Sequence, residues 1–318
     1  MKDHPFFSII IPLYNKEHYI QDTLKSIIDQ SFSHFEIIII NDGSTDQSLK
    51  KAESFFKNNP VTHSIISQTN KGLPATRNKG IALAKGTVIA LIDADDLWHT
   101  DCLQMFYNLY KKYPEAHFYG LDYIEKYGNN NSLETKKNLP NQLKNTSLLI
   151  NDFFVANKFQ SIVCQSTIAF KRDLPEPIFF NEKINYAEDV DFYLKYLTKY
   201  KLAYHYETMA TILCNVPGQI TKTGIHNKTL PNLDQYEKLH PKNTSLKKYL
   251  DFKRYMYASQ YKMMGDTINF NKMIDGINFK SLSSKQTFLL KCPLILLKLL
   301  KKIKSVFLKN NIRITTFK

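Results

Sequence analysis

Four short runs of branched apolar residues, each followed by a segment with helical spacing, constrain this chain more than any other feature. The runs cover residues 7–12, 35–40, 61–67 and 88–92. Runs of this length and composition are typical of strands buried on both faces. Because strands that alternate with helices form βαβ units, the sequence predicts an α/β fold with a mostly parallel sheet flanked by helices.

The fourth run ends in an acidic turn. Asp93, Asp95 and Asp96 lie within four positions directly after it. Ligands of open α/β sheets collect at the carboxyl ends of the strands. Mg²⁺ or Mn²⁺ is typically held there by one or two carboxylates together with substrate phosphates. The turn therefore indicates a metal–phosphate site, and the alternative is a solvated turn that caps the helix starting near Thr100.

Composition limits the possible partners. The 318 residues carry a formal net charge of +14, which favours an anionic partner: a phosphate-bearing substrate, a nucleic acid or an anionic membrane. Nucleic-acid binding would require basic residues interleaved with aromatic ones along a groove, whereas these lysines are scattered or lie in the last helix, so we expect no nucleic-acid partner. The four cysteines form no CxxC pair, and no glycine-rich dinucleotide or P-loop motif follows the first run.

The remaining chain divides into less regular elements and a helical end. We predict a long polar surface loop over 127–145 and one helix over 285–309. Further elements are predicted over 16–30, 73–84, 100–113, 186–199 and 247–266 (helices) and over 117–125, 166–171 and 210–214 (strands).

The last predicted helix is basic and amphipathic. Four of its lysines fall on one line at helical spacing, and they are Lys291, Lys298, Lys302 and Lys309. Lysines interrupt the apolar run too often for a transmembrane span. The composition favours a helix that lies on an anionic membrane surface, and the alternative is a helix packed on the catalytic domain or on a partner.

Four motifs in order carry a family resemblance: residues 8–17, 41–46, 70–78 and 93–96. On these motifs the chain resembles the family 2 glycosyltransferases, inverting enzymes that use nucleotide-sugars. The resemblance is specific over about 6–102 and looser to about Thr221. It implies a GT-A fold, with a nucleotide-binding sheet in a glycosyltransferase domain over 1–225 and a helical C-terminal region over 226–318.

The resemblance also implies site residues. The nucleotide-sugar would contact Pro12, Tyr14, Asn41, Asp42, Arg77, Asp93 and Ala94. Asp95, with Asp93, would bind Mn²⁺ or Mg²⁺. The general base would lie in the acidic pair Glu188-Asp189. We expect Asp189 to be the base, with Glu188 and Asp191 as alternatives.

Departures from the family pattern refine the expected activity. The QxxRW motif of processive members is absent, since residues 219–223 read Gln-Ile-Thr-Lys-Thr. The chain is therefore expected to add one sugar, from a donor that is UDP-linked by resemblance, to a saccharide or lipid-linked saccharide. Its expected location is the cytoplasmic face of a bacterial membrane. The alternatives are an inactive homologue, a basic binding module at the membrane, a retaining enzyme or a sugar-nucleotide pyrophosphorylase, and the sequence does not specify the sugar.

Overall fold

The first half of the chain alternates strands and helices as the sequence predicts. The computed structural model describes residues 4–128, 131–219, 224–309 and 312–316. The elements are β1 (Phe7–Leu13), α1 (Ile20–Ile28), β2 (Phe35–Asp42), α2 (Ser48–Asn58), β3 (His63–Gln68), α3 (Leu73–Leu83) and β4 (Val88–Leu91). Strand β1 lies between β2 and β4, β3 pairs with β2, and all these pairs are parallel. The carboxyl ends of the four strands therefore meet at one edge of the sheet.

The second half completes the sheet with mixed pairing. Its elements are β5 (Leu97–Trp98), α4 (Cys102–Lys112), β6 (Phe118–Tyr127), β7 (Asn131–Glu134), β8 (Ser147–Ile150), α5 (Phe153–Ala156), β9 (Ile168–Lys171), α6 (Glu188–Tyr196) and β10 (Leu202–Cys214). The strand order is β3-β2-β1-β4-β9-β6-β10-β5, with β7 beside β6 and β8 beside β10. Because β9 runs antiparallel to both β4 and β6, the predicted parallel arrangement holds for the first four strands and for the β6–β10 pair.

The predicted surface loop over 127–145 is wrong in part. Residues 131–134 form β7, which pairs antiparallel with the end of β6. This segment has few apolar residues, and its buried anchor is a lysine: the Lys137 ammonium bonds to the Ser161 carbonyl oxygen and lies 3.1 Å from Asp122 Oδ1. Because backbone pairing and one buried cation hold this segment, its sequence shows no hydrophobic periodicity from which the strand could be predicted. Strand β10 likewise begins eight residues before its predicted start.

In the described part of the chain, five α-helices follow the sheet: α7 (Leu233–Leu239), α8 (Thr244–Met264), α9 (Thr267–Asp275), α10 (Ser284–Lys291) and α11 (Leu294–Lys309). The prediction of one helix over 285–309 is wrong, because the chain breaks at Pro293. Proline lacks the N–H group and disfavours helical backbone in the preceding residue, and Cys292 is extended at φ −64° and ψ 154°. The Lys262 ammonium satisfies the carbonyl groups of Leu290 and Cys292 at the break. Lys291 therefore lies on a different helix from the other three lysines of the predicted line.

Helix α8 packs into the same core as the sheet. Leu246, Tyr249 and Tyr257 of α8 are buried in one hydrophobic cluster with Phe192 and Tyr193 of α6. The helical region thus forms a wall next to the first turn of α6. No helix in the described ranges has the length and apolar composition needed to cross a membrane.

Candidate active site

One serine, Ser166, anchors the acidic turn after β4. Ser166 Oγ donates to Asp96 Oδ2 at 2.5 Å and accepts from the Asp93 backbone N–H at 3.0 Å. The Ser166 carbonyl oxygen accepts from Trp98 Nε1 at 2.6 Å, and Asp96 Oδ1 accepts from the Leu213 N–H at 3.1 Å. Asp96 therefore fixes the turn to the rest of the sheet, which leaves Asp93 and Asp95 as the carboxylates that face the strand ends.

Arg77 joins the acidic turn to α6. Its guanidinium donates from Nη2 to Asp93 Oδ1 at 2.8 Å and from Nη1 to Glu188 Oε1 at 3.0 Å. The Arg77 side chain is 1% exposed, and its Cζ lies 5.2 Å from the centre of the Phe180 ring. The side chain of Asn78, the next residue, donates to the Phe180 carbonyl oxygen and accepts from the Phe180 N–H. A planar cation with several fixed donors can bridge two carboxylates in this way, which a lysine cannot.

Lys16 occupies the other side of the turn. Its Nζ lies 2.8 Å from Asp95 Oδ2, and the two side chains are 12% and 9% exposed. The same ammonium lies 3.3 Å from the Pro217 carbonyl oxygen, just beyond β10. The Lys16 backbone is fixed by a 2.6 Å hydrogen bond from its N–H to Ser48 Oγ. Each carboxylate of the Asp93–Asp95 pair is thus paired with one internal cation.

Burial and the neighbouring charges shift the pKa values of these groups. Burial raises the pKa of Asp95, and the charge of Asp93 adds to the effect while Lys16 opposes it. The pKa of Asp96 is raised well above its usual range by burial and by the charges of Asp95 and Asp93. Burial also raises the pKa of Glu188 against the opposing charge of Arg77. Burial alone would lower the pKa of Arg77, but Asp93 and Glu188 outweigh it and keep the guanidinium charged.

The end of β2 forms a second polar cluster. Asp42 Oδ1 accepts from Gln68 Nε2 and from the Lys71 N–H, and Oδ2 accepts from the Gly72 N–H, at 2.8 to 2.9 Å. Gly72 has a φ of +88°, a conformation that favours glycine, and it directly precedes α3. Asn41 Oδ1 accepts from the Ser44 N–H. Each oxygen of a carboxylate has two lone pairs, so Asp42 retains capacity to accept from a ligand.

The first turn of α6 holds the predicted base. Ala187, which precedes it, adopts a left-handed conformation at φ 59° and ψ 37°, a costly backbone for a residue with a side chain. Asp189 Oδ1 accepts from the Val190 N–H at 2.8 Å. Burial raises the pKa of Tyr249 and Tyr257 in α8, and the negative charge of Asp189 raises it further. Asp189 is therefore close enough to α8 to interact electrostatically with both tyrosines.

The four predicted residues not yet described also lie outside the ion pairs. Asp191 accepts from the Tyr236 hydroxyl at 2.9 Å and lines a separate cavity of about 380 Å³ between α6 and α7. Tyr14 is 47% exposed in the loop after β1. Pro12 and Ala94 are buried. Since their side chains pack into the protein, a ligand would meet them through the backbone.

The Asp93–Asp95 pair suits a divalent cation that shares its ligands with a phosphate. Among the described residues, no cluster of three or more His, Cys, Asp or Glu side chains is placed to hold a metal by itself. Mg²⁺ in particular is bound by one or two carboxylates, with substrate phosphates and water completing its shell. The donor set therefore fits Mn²⁺ or Mg²⁺ bound together with a diphosphate.

Lys16, Ser166 and Phe180 belong to the site but were not predicted. Lys16 lies within the first family motif, but only its ion pair with Asp95 in the structure shows that it belongs to the site. Ser166 lies in a single 3₁₀ turn and Phe180 in a segment without regular structure, both at least 70 residues after the acidic turn. No local pattern marks a residue that acts through a contact so distant in sequence. Residues 220–223, four of the five positions compared with QxxRW, lie outside the described residues.

Fold and site together define an α/β protein with a cluster of cation-paired carboxylates at the carboxyl edge of its sheet. Residues 8–172 match the family model "Glycosyl transferase family 2". This match covers more than half of the chain, which therefore belongs to glycosyltransferase family 2.

Three similar proteins extend the comparison. TuaG of Bacillus subtilis, named as a teichuronic acid biosynthesis glycosyltransferase, is 38% identical over 100 residues, 31% of this chain and 40% of TuaG. TarS 1–349 of S. aureus, solved with UDP-GlcNAc, superposes with a TM-score of 0.59 at 17% identity over 96% of this chain and 83% of that one. The mannosyltransferase PcManGT of Pyrobaculum calidifontis, solved with GDP-Man and Mn²⁺, gives 0.51 at 17% identity over 96% and 81%. The two solved structures confirm the GT-A fold. The sequence alignment with TuaG spans less than half of the length of TuaG.

Proposed function

We propose that this chain is a metal-dependent, inverting, non-processive glycosyltransferase. It transfers one sugar from a nucleotide-sugar, UDP-linked by preference, to a hydroxyl of a saccharide or lipid-linked saccharide in cell-surface polysaccharide synthesis. Polysaccharide synthesis is supported by the name of TuaG, and a nucleotide-sugar donor by the ligands of TarS and PcManGT.

One observation carries this proposal: a single buried arginine connects the two halves of the site. Arg77 contacts Asp93, at the end of β4, and Glu188, in the first turn of α6. The donor diphosphate and the acceptor hydroxyl need separate carboxylates within reach of one anomeric carbon. The Arg77 bridge holds Asp93 next to Glu188, 95 positions later in the sequence, and so brings Asp93 near the first turn of α6, which also carries Asp189.

The residues of the chain have distinct chemical roles in this proposal. Asp189 takes the proton of the acceptor hydroxyl as the oxygen attacks the anomeric carbon, and Glu188 holds Arg77 in position. Asp42 accepts from the base or ribose, and Tyr14 offers an exposed ring for stacking. Asp95 and Asp93 hold Mn²⁺ or Mg²⁺, which supplies positive charge to the departing diphosphate.

Donor binding is tested by isothermal titration of UDP, UDP-GlcNAc, other UDP-sugars and GDP-mannose, each with and without Mn²⁺. We expect one UDP-sugar to bind with metal dependence, and Asp95→Asn to weaken it by at least about tenfold because the metal loses a charged ligand. Asp22→Asn, on the exposed face of α1, is the matched control and should bind like the wild type. If no nucleotide-sugar binds in any condition, the chain is an inactive homologue and the proposed function is wrong.

We also propose that α11 places the enzyme on an anionic membrane surface. One side of the helix packs near α8, where Leu297 is buried. Five apolar residues form an exposed arc on the opposite side: Ile295, Leu299, Ile303, Val306 and Phe307. The helix carries five lysines and no acidic residue. An exposed apolar arc with flanking lysines suits the interface of a bilayer that contains anionic lipid.

Membrane binding is tested by sedimentation with vesicles of phosphatidylcholine alone or mixed with phosphatidylglycerol. We expect binding to the anionic vesicles, reduced at least about tenfold by Leu299→Asp because a charge enters the apolar arc. Leu239→Asp is the matched control, since Leu239 is an exposed leucine of α7. Equal binding by Leu299→Asp and the wild type would assign the arc to another partner.

A further inference from the structure

The geometry points to Lys16 as a built-in counter-ion that sets the metal affinity of the site. Its ammonium pairs with Asp95 Oδ2 and competes with a divalent cation for that carboxylate. This inference rests on the proposed function, because it requires Asp95 to be a metal ligand. It adds a role for a residue that belongs to none of the predicted donor-binding or catalytic groups.

The contact between Lys16 and Asp95 is close and almost fully enclosed. The 2.8 Å separation and the exposures of 12% and 9% place both charges out of bulk water. Two carboxylates, Asp93 and Asp95, lie near enough for Asp93 to disfavour the charge of Asp95. Lys16 supplies positive charge next to Asp95, as Arg77 does next to Asp93.

The two cations differ in their freedom to leave. Arg77 is held by two carboxylates and an aromatic ring, in a buried position. Lys16 ends a flexible four-carbon stem and contacts one carboxylate and one carbonyl oxygen. An ammonium on such a stem can move without changing the backbone, which the bond to Ser48 fixes. Lys16 is therefore the cation that exchanges with a metal, and Arg77 is the one that stays.

The second contact of Lys16 links this exchange to the chain after β10. The Lys16 ammonium lies 3.3 Å from the Pro217 carbonyl oxygen, so the lysine joins the loop after β1 to the turn after β10. When Lys16 releases Asp95, this link is loosened too. Charge and hydrogen bonding can be separated at this position, because glutamine retains a donor for Pro217 but carries no charge, whereas methionine has neither.

Titration with Mn²⁺ alone, followed by the electron paramagnetic resonance signal of the free ion, tests the inference without turnover. We expect Lys16→Gln and Lys16→Met both to bind Mn²⁺ about tenfold more tightly than the wild type, because a competing charge is removed. Lys25→Met removes the exposed Lys25–Asp29 pair and is the matched control, with unchanged affinity. In thermal unfolding, Mn²⁺ should stabilise both Lys16 variants more than the wild type.

Other outcomes separate this inference from the proposed function. Unchanged or weaker Mn²⁺ binding by both Lys16 variants, with binding still lost in Asp95→Asn, overturns the role of Lys16 and leaves the metal site in place. Tighter binding by Lys16→Met alone would assign the effect to the Pro217 contact instead of the charge, and would also overturn it. If neither the wild type nor any variant binds Mn²⁺, the metal part of the proposed function fails and the inference fails with it.

Discussion

Replacement of Arg77 by methionine is expected to remove transferase activity and to lower the free energy of unfolding by about 3 kcal/mol, the order of magnitude for breaking a buried ion pair from one side. The guanidinium is 1% exposed and pairs with Asp93 and Glu188. Methionine fills a similar volume, so the effect reports the charge more than a cavity. Urea denaturation followed by circular dichroism measures the stability, and radiolabelled sugar transfer measures the activity.

Two further variants interpret the Arg77 result. Arg77→Lys should retain part of the stability but little activity, because one ammonium cannot donate in parallel to both carboxylates. Arg172→Met is the matched control: Arg172 pairs with Asp173, both side chains are more than a third exposed, and we expect a loss below about 1 kcal/mol. A stable and active Arg77→Met would show that the bridge neither holds the fold nor serves the reaction.

The Arg77→Met defect should also depend on pH. Burial raises the pKa of Glu188, and Arg77 opposes this rise. Without Arg77, folded Glu188 retains its proton to a higher pH than the unfolded chain does. The folded state then binds more protons, so the free energy of unfolding falls as the pH rises above the ordinary glutamate value of 4.5. We expect the smallest defect near that pH and the largest near neutrality, measured by urea denaturation across the range.

The positions of Asp42 and Asp93 could be predicted because both residues lie at the ends of regular strands. Asp42 is the last residue of β2 and Asp93 lies two residues after the end of β4. The apolar runs of both strands are unambiguous, and parallel strands bring their carboxyl ends together. The ion pairs themselves could not be predicted. Glu188 is a candidate base by resemblance, but no sequence pattern pairs it with Arg77 or pairs Lys16 with Asp95, because both contacts form only when distant segments come together in the fold.

The second half of the fold was predicted less well for a different reason. Strand β7 is polar, and β5 has two residues, so neither carries a hydrophobic period of useful length. Both strands form because they make backbone hydrogen bonds with a neighbouring strand, which is a tertiary interaction. The break at Pro293 could have been predicted from the sequence, since proline ends a helix by local chemistry. The continuous leucine pattern on both sides obscured it.

Replacement of Asp189 by asparagine is expected to lower kcat by about 10²- to 10⁴-fold, the usual contribution of a general base, while donor binding stays within about twofold. Asparagine can still accept from the Val190 N–H through its oxygen, so the first turn of α6 should remain intact. Calorimetric titration of the donor and initial rates at saturating donor separate binding from chemistry.

Substitutions of the neighbouring acidic residues test whether Asp189 is the base. Glu188→Gln breaks the pair with Arg77, so it should lower stability as well as activity, whereas Asp189→Asn should lower activity alone. Asp191 is bonded to Tyr236 in the separate cavity, and Asp191→Asn should reduce kcat much less than Asp189→Asn. If Asp191→Asn abolishes transfer and Asp189→Asn does not, the reacting hydroxyl enters from the α7 side of α6, and the acceptor lies in that cavity.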